Sequence, residues 1–312
     1  MKLNLREVTT GLKFPEGPIA MPDGSLLVVE IEGTRLVRVQ PDGRQETVAV
    51  LGGGPNGAAI GPDGKCYVCN NGGFNWVHQD DGYHRPHGRA DAYTGGSIQR
   101  VDLDSGAVET LYTHCDGNPI MGPNDIVFDA DGGFWFTDHG KSYDRLMDRG
   151  AVYYATIDGG FIREAAFPLI TPNGVGLSPD GQTLYVSETE TGRLWAWPII
   201  GPGELAKAPW PSPAGGRFIG GPTGYQRFDS IAVEANGNIC VASLVAGGIS
   251  VFSPDGGLIE FWEAPEPYCT NICFGGPDMK TAYITLSGFG RLVALEWPRA
   301  GLPLVHQGFV AA

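Results

Sequence analysis

Apolar residues along this chain come in short runs and never in long helical stripes. Runs such as LLVVE at 26–30, CYVCN at 66–70 and FWFTD at 134–138 lie beside turns of the Pro-Asp-Gly or Ala-Asp-Gly kind. Their length, their β-branched and aromatic content and these turns predict strands joined as hairpins. Six segments share one plan, in which a polar residue leads into an apolar strand, a turn and a second apolar strand: PEGPIAMPDGSLLVVE from Pro15, PNGAAIGPDGKCYVCN from Pro55, PNDIVFDADGGFWFTD from Pro123, PNGVGLSPDGQTLYVSE from Pro172, FDSIAVEANGNICVAS from Phe228 and TNICFGGPDMKTAYITL from Thr270. The leading polar residue and the Asp or Asn of the turn stand seven positions apart in all six, from Glu16 and Asp23 to Asn271 and Asp278. Successive leading residues are 40, 68, 49, 56 and 42 positions apart.

Second hairpins fall between these units, clearly in LVRVQPDGRQETVA and ISVFSPDGGLIEFW, more weakly in LWAWPIIGPGEL and LVALEWPRAGLPLV. Two hairpins per repeat make a four-stranded sheet, so the pattern predicts an all-β, six-bladed β-propeller around a central channel, with residues 1–312 as one domain. Either the N-terminal strand near Leu5–Thr9 or a C-terminal strand near Leu304–Gln307 is expected to close the ring.

Composition agrees with many strands and tight turns, at 48 glycines and 24 prolines in 312 residues. The net charge of −14 excludes nucleic acid and anionic membranes as natural partners, since both attract basic patches. No segment approaches the run of about 20 apolar residues that spans a bilayer, and MKLNLREVTTG has no apolar signal core. A soluble, cytoplasmic protein with a small-molecule substrate is expected, its oligomeric state left open. Cys66 and Cys69 would point to opposite faces of one strand, so the six cysteines read as buried free thiols rather than as metal ligands or disulfides.

In a propeller the innermost strands run in the same direction along the channel. The leading residues Glu16, Asn56, Asn124, Asn173, Asp229 and Asn271 therefore form a polar ring at one mouth, with the turns gathered at the other. Two carboxylates and four carboxamides, with no histidine or cysteine, are a donor set for a hard divalent cation, Ca2+ before Zn2+, Mg2+ or Mn2+. The plainer alternative is a ring that holds only water and ties off strand ends through Asx-type bonds.

On FPEGP at 14–18, GPNDIVFDADGGFWFTD at 122–138, TPNGVGLSPDGQTLYVSE at 171–188 and FDSIAVEANGNICVA at 228–242, the whole chain resembles the senescence marker protein, gluconolactonase and luciferin-regenerating enzyme family. The resemblance implies a six-bladed propeller with one divalent metal on its axis. It implies Glu16, Asn173 and Asp229 as metal ligands, and Asn124 as a ligand or a substrate contact beside the metal. Sugar lactonases carry an arginine-bearing segment before the third-blade asparagine, whereas CDGNPIMGPND has none between Cys115 and Asp125.

The chemistry expected of such a site is hydrolysis of a cyclic ester by a lactonase, a carboxylic ester hydrolase. The metal would polarise the carbonyl and lower the pKa of the attacking bound water, and Asp229 would be the general base. No GxSxG occurs, so a serine nucleophile is not expected. Asn56, Asn124, Asn271, Trp76 and Tyr143 are the candidate substrate-binding residues. Trp76 belongs to the long insertion at 70–96, which reads as a lid and also carries Phe74, Tyr83, Tyr93, His78, His84 and His87; His84 and His87 have a possible zinc spacing that carries little weight in a loop. Asp138, His139 and Tyr143 are expected at the same mouth. A non-hydrolytic metal-dependent carbonyl enzyme of lyase, hydratase or aldolase type, or a non-catalytic propeller binding module, stays open as an alternative.

Overall fold

A computed structural model describes residues 1, 4–212, 214–222 and 224–309. Each leading segment forms the hairpin its turn predicts. In the first unit the Asp23 carboxylate accepts the Ser25 N–H at 2.9 Å, and Asp180 and Asn236 repeat this at 3.0 Å with Gln182 and Asn238, an Asx turn that fixes the loop before any tertiary contact. The third unit departs from the pattern: Asp129, two residues earlier than Asp131, accepts the turn N–H groups of Asp131 and Gly133.

The hairpins build six antiparallel sheets arranged as a six-bladed β-propeller. Blade 1 runs Pro15–Ala20, Leu26–Glu30, Arg35–Val39 and Gln45–Val50 from the axis outward. The inner strands of the other blades are Pro55–Ile60, Pro123–Phe128, Pro172–Leu177, Phe228–Val233 and Cys269–Gly275. Each packs against the next, and the last packs against the first, closing the circle. Inner strands are covered on both faces by neighbouring blades, so they are apolar nearly throughout; the outer strand Leu258–Glu263 faces solvent and has no fully buried residue. The core is accordingly a set of apolar layers between blades, such as Trp135, Val152, Val175, Val186 and Trp197 between blades 3 and 4.

Closure is by the N-terminal strand. Arg6–Thr9 pairs with Arg291–Glu296 as the outer strand of blade 6. The segment Leu304–Gln307 forms no strand; it turns under the channel, where the Gln307 amide donates to the Ala20 carbonyl at 2.9 Å. Pro298 and Pro303 bracket the stretch after the last blade strand and lack the N–H a ladder needs. The weak hairpin read in LWAWPIIGPGEL is only a short pairing of Glu204–Leu205; the outer strand of blade 4 is Arg217–Gly220, reached after an excursion through the loop.

Candidate metal centre on the propeller axis

All six inner strands break register at the polar ring. The antiparallel pairing slips between Glu16 and Ile19, Pro55 and Ala58, Pro123 and Ile126, Pro172 and Val175, Phe228 and Ile231, and Cys269 and Asn271. A bulge re-aims the side chain beside it. Here it does so once per blade, at the residue that leads the repeat.

In three of the six strands the next position is a glycine, Gly17, Gly57 or Gly174, which lets the backbones converge. A Cβ on Gly17 would stand 2.7 Å from the Asn56 carbonyl, and one on Gly57 2.4 Å from the Asn124 carbonyl. Hydroxyl and thiol groups on the second strands or, for Ser287, one residue beyond lock these backbones between blades. Ser187 Oγ donates to the Asp229 carbonyl at 2.5 Å, Ser287 Oγ to the Pro15 carbonyl at 2.6 Å, Thr137 Oγ1 to the Asn173 carbonyl, and Cys69 Sγ to the Asp125 carbonyl at 3.6 Å. All six cysteines are buried free thiols.

Glu16, Asn56, Asn124, Asn173, Asp229 and Asn271 are all buried. Glu16 Oε2 accepts the Gly17 N–H and the Asn271 Nδ2–H, each at 2.8 Å, and Asn173 Nδ2 donates to Thr189 Oγ1 at 3.1 Å. Asn124 Oδ1 and Asn173 Oδ1 are buried without any hydrogen-bond partner. Buried polar atoms left in this state are uncommon and costly. Burial pushes the Glu16 carboxyl up; it pushes Asp229 well up, and the negative charge of Glu16 adds to this. Two crowded carboxylates and two unpartnered amide oxygens suit a hard divalent cation.

One residue of this centre escaped the sequence reading. Asp125 occupies the layer beneath the ring, where other blades carry Gly17, Gly57, Gly174, Ser230 and Ile272. Its oxygens accept the Ile126 N–H at 2.9 Å and the Val175 N–H at 3.4 Å, and burial, then the charge of Glu16, push its pKa up to about 7. The signal was available, since Asp125 is the one charged residue at the position following a leading residue. A cavity of about 420 Å³ reaches Asp125 and Asn271 from the turn end and is floored by Leu302–Val305, so it approaches the ring from beneath.

At the ring mouth the insertion folds as a hairpin of Phe74–His78 and His84–Arg89. Trp76 packs on Phe14 at 5.0 Å between ring centroids, Tyr83 on Phe289 at 5.1 Å, and the Tyr93 hydroxyl donates to the Met121 carbonyl at 2.6 Å. Its aromatic residues thus anchor it to the rims of blades 1, 6 and 3. Tyr143 lies at the seam with blade 3, its hydroxyl on Asp148 at 3.1 Å and its ring under Arg89. Asp138 accepts the Met121, Gly122 and Gly140 N–H groups, so it organises the loop. Burial lowers His139 to about 4. Positive charge reaches this mouth from two places: buried Lys141, whose Nζ donates to Asn71 Oδ1 and the Gly73 carbonyl, lies near His139, and Arg227, ion-paired with Glu190, lies near both His139 and Asp229.

Fold and site together define a six-bladed propeller with an oxygen-donor cage on its axis. The chain belongs to the SMP-30/gluconolactonase/LRE-like family, whose profile matches residues 14–288. It is 29% identical over 238 residues to lactonase drp35 of Staphylococcus saprophyticus, covering 76% of this chain and 65% of that protein. To diisopropyl-fluorophosphatase of Loligo vulgaris it is 30% identical over 214 residues, covering 64% of this chain and 65% of that protein. The chain thus spans just under two thirds of the length of these curated relatives. The solved structure of regucalcin from Agrobacterium tumefaciens, described as a calcium-binding protein, aligns with a TM-score of 0.73 at 20% identity, covering 97% of this chain and 96% of that one.

Proposed function

We propose that this protein is a metal-dependent lactonase, hydrolysing a cyclic ester at the axial ring. The observation that carries the reading is the pair of buried, unpartnered amide oxygens of Asn124 and Asn173 beside the buried carboxylates of Glu16 and Asp229. These four residues would hold one divalent ion, with Ca2+ favoured by the all-oxygen donor set. Bound there, the ion would supply Lewis acidity to the ester carbonyl and to an attacking water.

The chain's own groups would do the rest. Asp229 takes the water proton on a carboxylate oxygen, whose affinity for a proton is raised by burial and then by the charge of Glu16. Asn271 braces Glu16 through one amide N–H, which leaves its carbonyl oxygen and second N–H for any contact with substrate. Asn56 completes the ring, Phe14 and Trp76 give the mouth an apolar side, and Tyr143 backs the hairpin through Arg89. That apolar side supports a preference for lactones less polar than gluconolactone. The names of two relatives support hydrolysis of a cyclic ester at carbon and of a P–F bond at phosphorus respectively, and attack at phosphorus with fluoride leaving is the second reading.

The test is proton release from a panel of apolar lactones, gluconolactone and diisopropyl fluorophosphate, run with Ca2+ and after chelation. Turnover of a lactone that chelation abolishes and Ca2+ restores supports the proposal. Turnover of the fluorophosphate alone favours the second reading, and turnover indifferent to chelation overturns the metal dependence.

A further inference from the structure

The lid hairpin carries a second, chemically different donor set. His78 Nε2 lies 2.5 Å from Glu32 Oε1, His84 Nδ1 lies 2.8 Å from Glu32 Oε2, and one ligand atom of each residue falls within 4.8 Å of the other two. The two imidazole rings are 4.4 Å apart, centroid to centroid. From these positions we propose that Glu32, His78 and His84 form a binding site for a borderline divalent cation of the zinc class, independent of the axial ring, and that the bound ion pins the lid to blade 1.

Several features make this more than a pair of surface hydrogen bonds. His78 and His84 are directly opposite in the hairpin register and flank its turn, so backbone pairing fixes their separation. That turn is itself fixed, with the Gln79 N–H on the Tyr83 carbonyl at 2.9 Å and the Tyr83 N–H on Asp81 at 3.0 Å. The His84 N–H donates to the Gly288 carbonyl at 2.8 Å, tying the hairpin to blade 6. Glu32 stands in the turn at 31–34 between two strands of blade 1, its side chain 14% exposed. One carboxylate needs one cation for a salt bridge. Here two imidazole nitrogens converge on it from one rigid hairpin.

Two imidazole nitrogens and one carboxylate oxygen suit zinc and its neighbours, while a hard ion such as calcium prefers oxygen alone. His78, at 55% side-chain exposure, leaves room for water to complete the coordination. The spacing of His84 and His87 carries little weight, and the structure agrees: it pairs His84 with His78 across the hairpin and leaves His87 exposed, because residues three apart on a strand face opposite ways.

The experiment titrates chelator-stripped, full-length protein with Co2+ in the presence of excess Ca2+, reading the visible d–d absorption of a nitrogen-ligated ion and its loss on adding Zn2+. Expected is one equivalent of absorbing Co2+ in wild type and in Asp229→Asn, and none in His78→Ala or Glu32→Gln. His78 is largely exposed, so His78→Ala should keep its fold, checked by an unchanged Tm in Ca2+. Zn2+ should also slow proteolytic cleavage at residues 79–82 at least about tenfold in wild type and not in His78→Ala, since cleavage follows the population of the open loop. No absorption in wild type, or equal absorption in His78→Ala, would overturn the site. Equal cleavage with and without Zn2+ would overturn the pinning.

Discussion

The axial ring and the lid cluster are both small sets of converging donors, yet they are built by opposite means. The ring uses one register position six times: each blade bulges at the same point, so residues as distant in sequence as Glu16 and Asn271 meet at 2.8 Å. The cluster uses a single insertion folded back on itself and one turn of blade 1. The ring is buried and all-oxygen, with carboxylates pushed up by burial; the cluster is half-open and holds two imidazoles. A repeat converts sequence distance into a shared axis, whereas an insertion makes only the contacts its own hairpin can reach.

The largest expected effect that separates the two is Asp229→Asn. It should lower kcat for the preferred lactone by about 10²–10⁴ with the fold intact, the usual cost of losing a general base, while His78→Ala in Ca2+ leaves kcat within about threefold. If the lid variant proved the slower one by steady-state kinetics, the assignment of chemistry to the ring would be wrong.

Metal removal comes next. At about a hundredfold excess over Kd, bound Ca2+ should stabilise the protein by roughly 2.7 kcal/mol, read as a rise in Tm. The stripped protein should also show an inverted pH dependence. Asp125, with an ordinary value of 3.8 and a folded value of about 7, binds more protons folded than unfolded across that window, and Glu16 and Asp229 shift in the same direction. Stability therefore falls as pH rises from about 4 to about 7. Scanning calorimetry of chelated protein should give a higher Tm at pH 5 than at pH 8, with Ca2+ restoring most at pH 8; the opposite slope would mean that these carboxylates are already paired.

Gly57→Ala should destabilise by about 1–3 kcal/mol in denaturant melts, because its Cβ would meet the Asn124 carbonyl at 2.4 Å and neighbouring backbone cannot easily yield. Gly82→Ala, at the tip of the lid turn, has open space around its Cβ but a φ of +87°. It should cost only about 1 kcal/mol of local strain and leave the ring untouched. Similar losses at the two positions would erase the contrast between a converged axis and an open hairpin. The smallest effect expected is for Asp125→Asn, which should flatten the pH slope of the stripped protein while changing its Tm at pH 5 little.

Much of the ring was legible because its determinants are local and repeated. A strand, an Asx turn and a leading polar residue are set by neighbouring side chains, and six copies at one offset imply a common axis. Asp125 was missed because its meaning lies in the blade beside it: a Cβ on Gly57 would stand 2.9 Å from Asp125 Oδ1, so the carboxylate fits that layer where the neighbouring strand carries glycine. Arg227 was missed because the mouth is assembled from several blades, so a charge two residues before Asp229 matters only once the blades have packed. Trp76 and Tyr143 were placed near the mouth by chain position, but their partners Phe14 and Arg89 come from packing.

Sequence alone determined the all-β class, the six units and the chemical character of the ring, since strand period, turn geometry and donor type are properties of short segments. Tertiary structure decided which terminus closes the propeller, which residue joins His84, and which amide oxygens are left without partners. Those depend on contacts between segments up to the whole chain length apart, whose geometry exists only once the blades have packed.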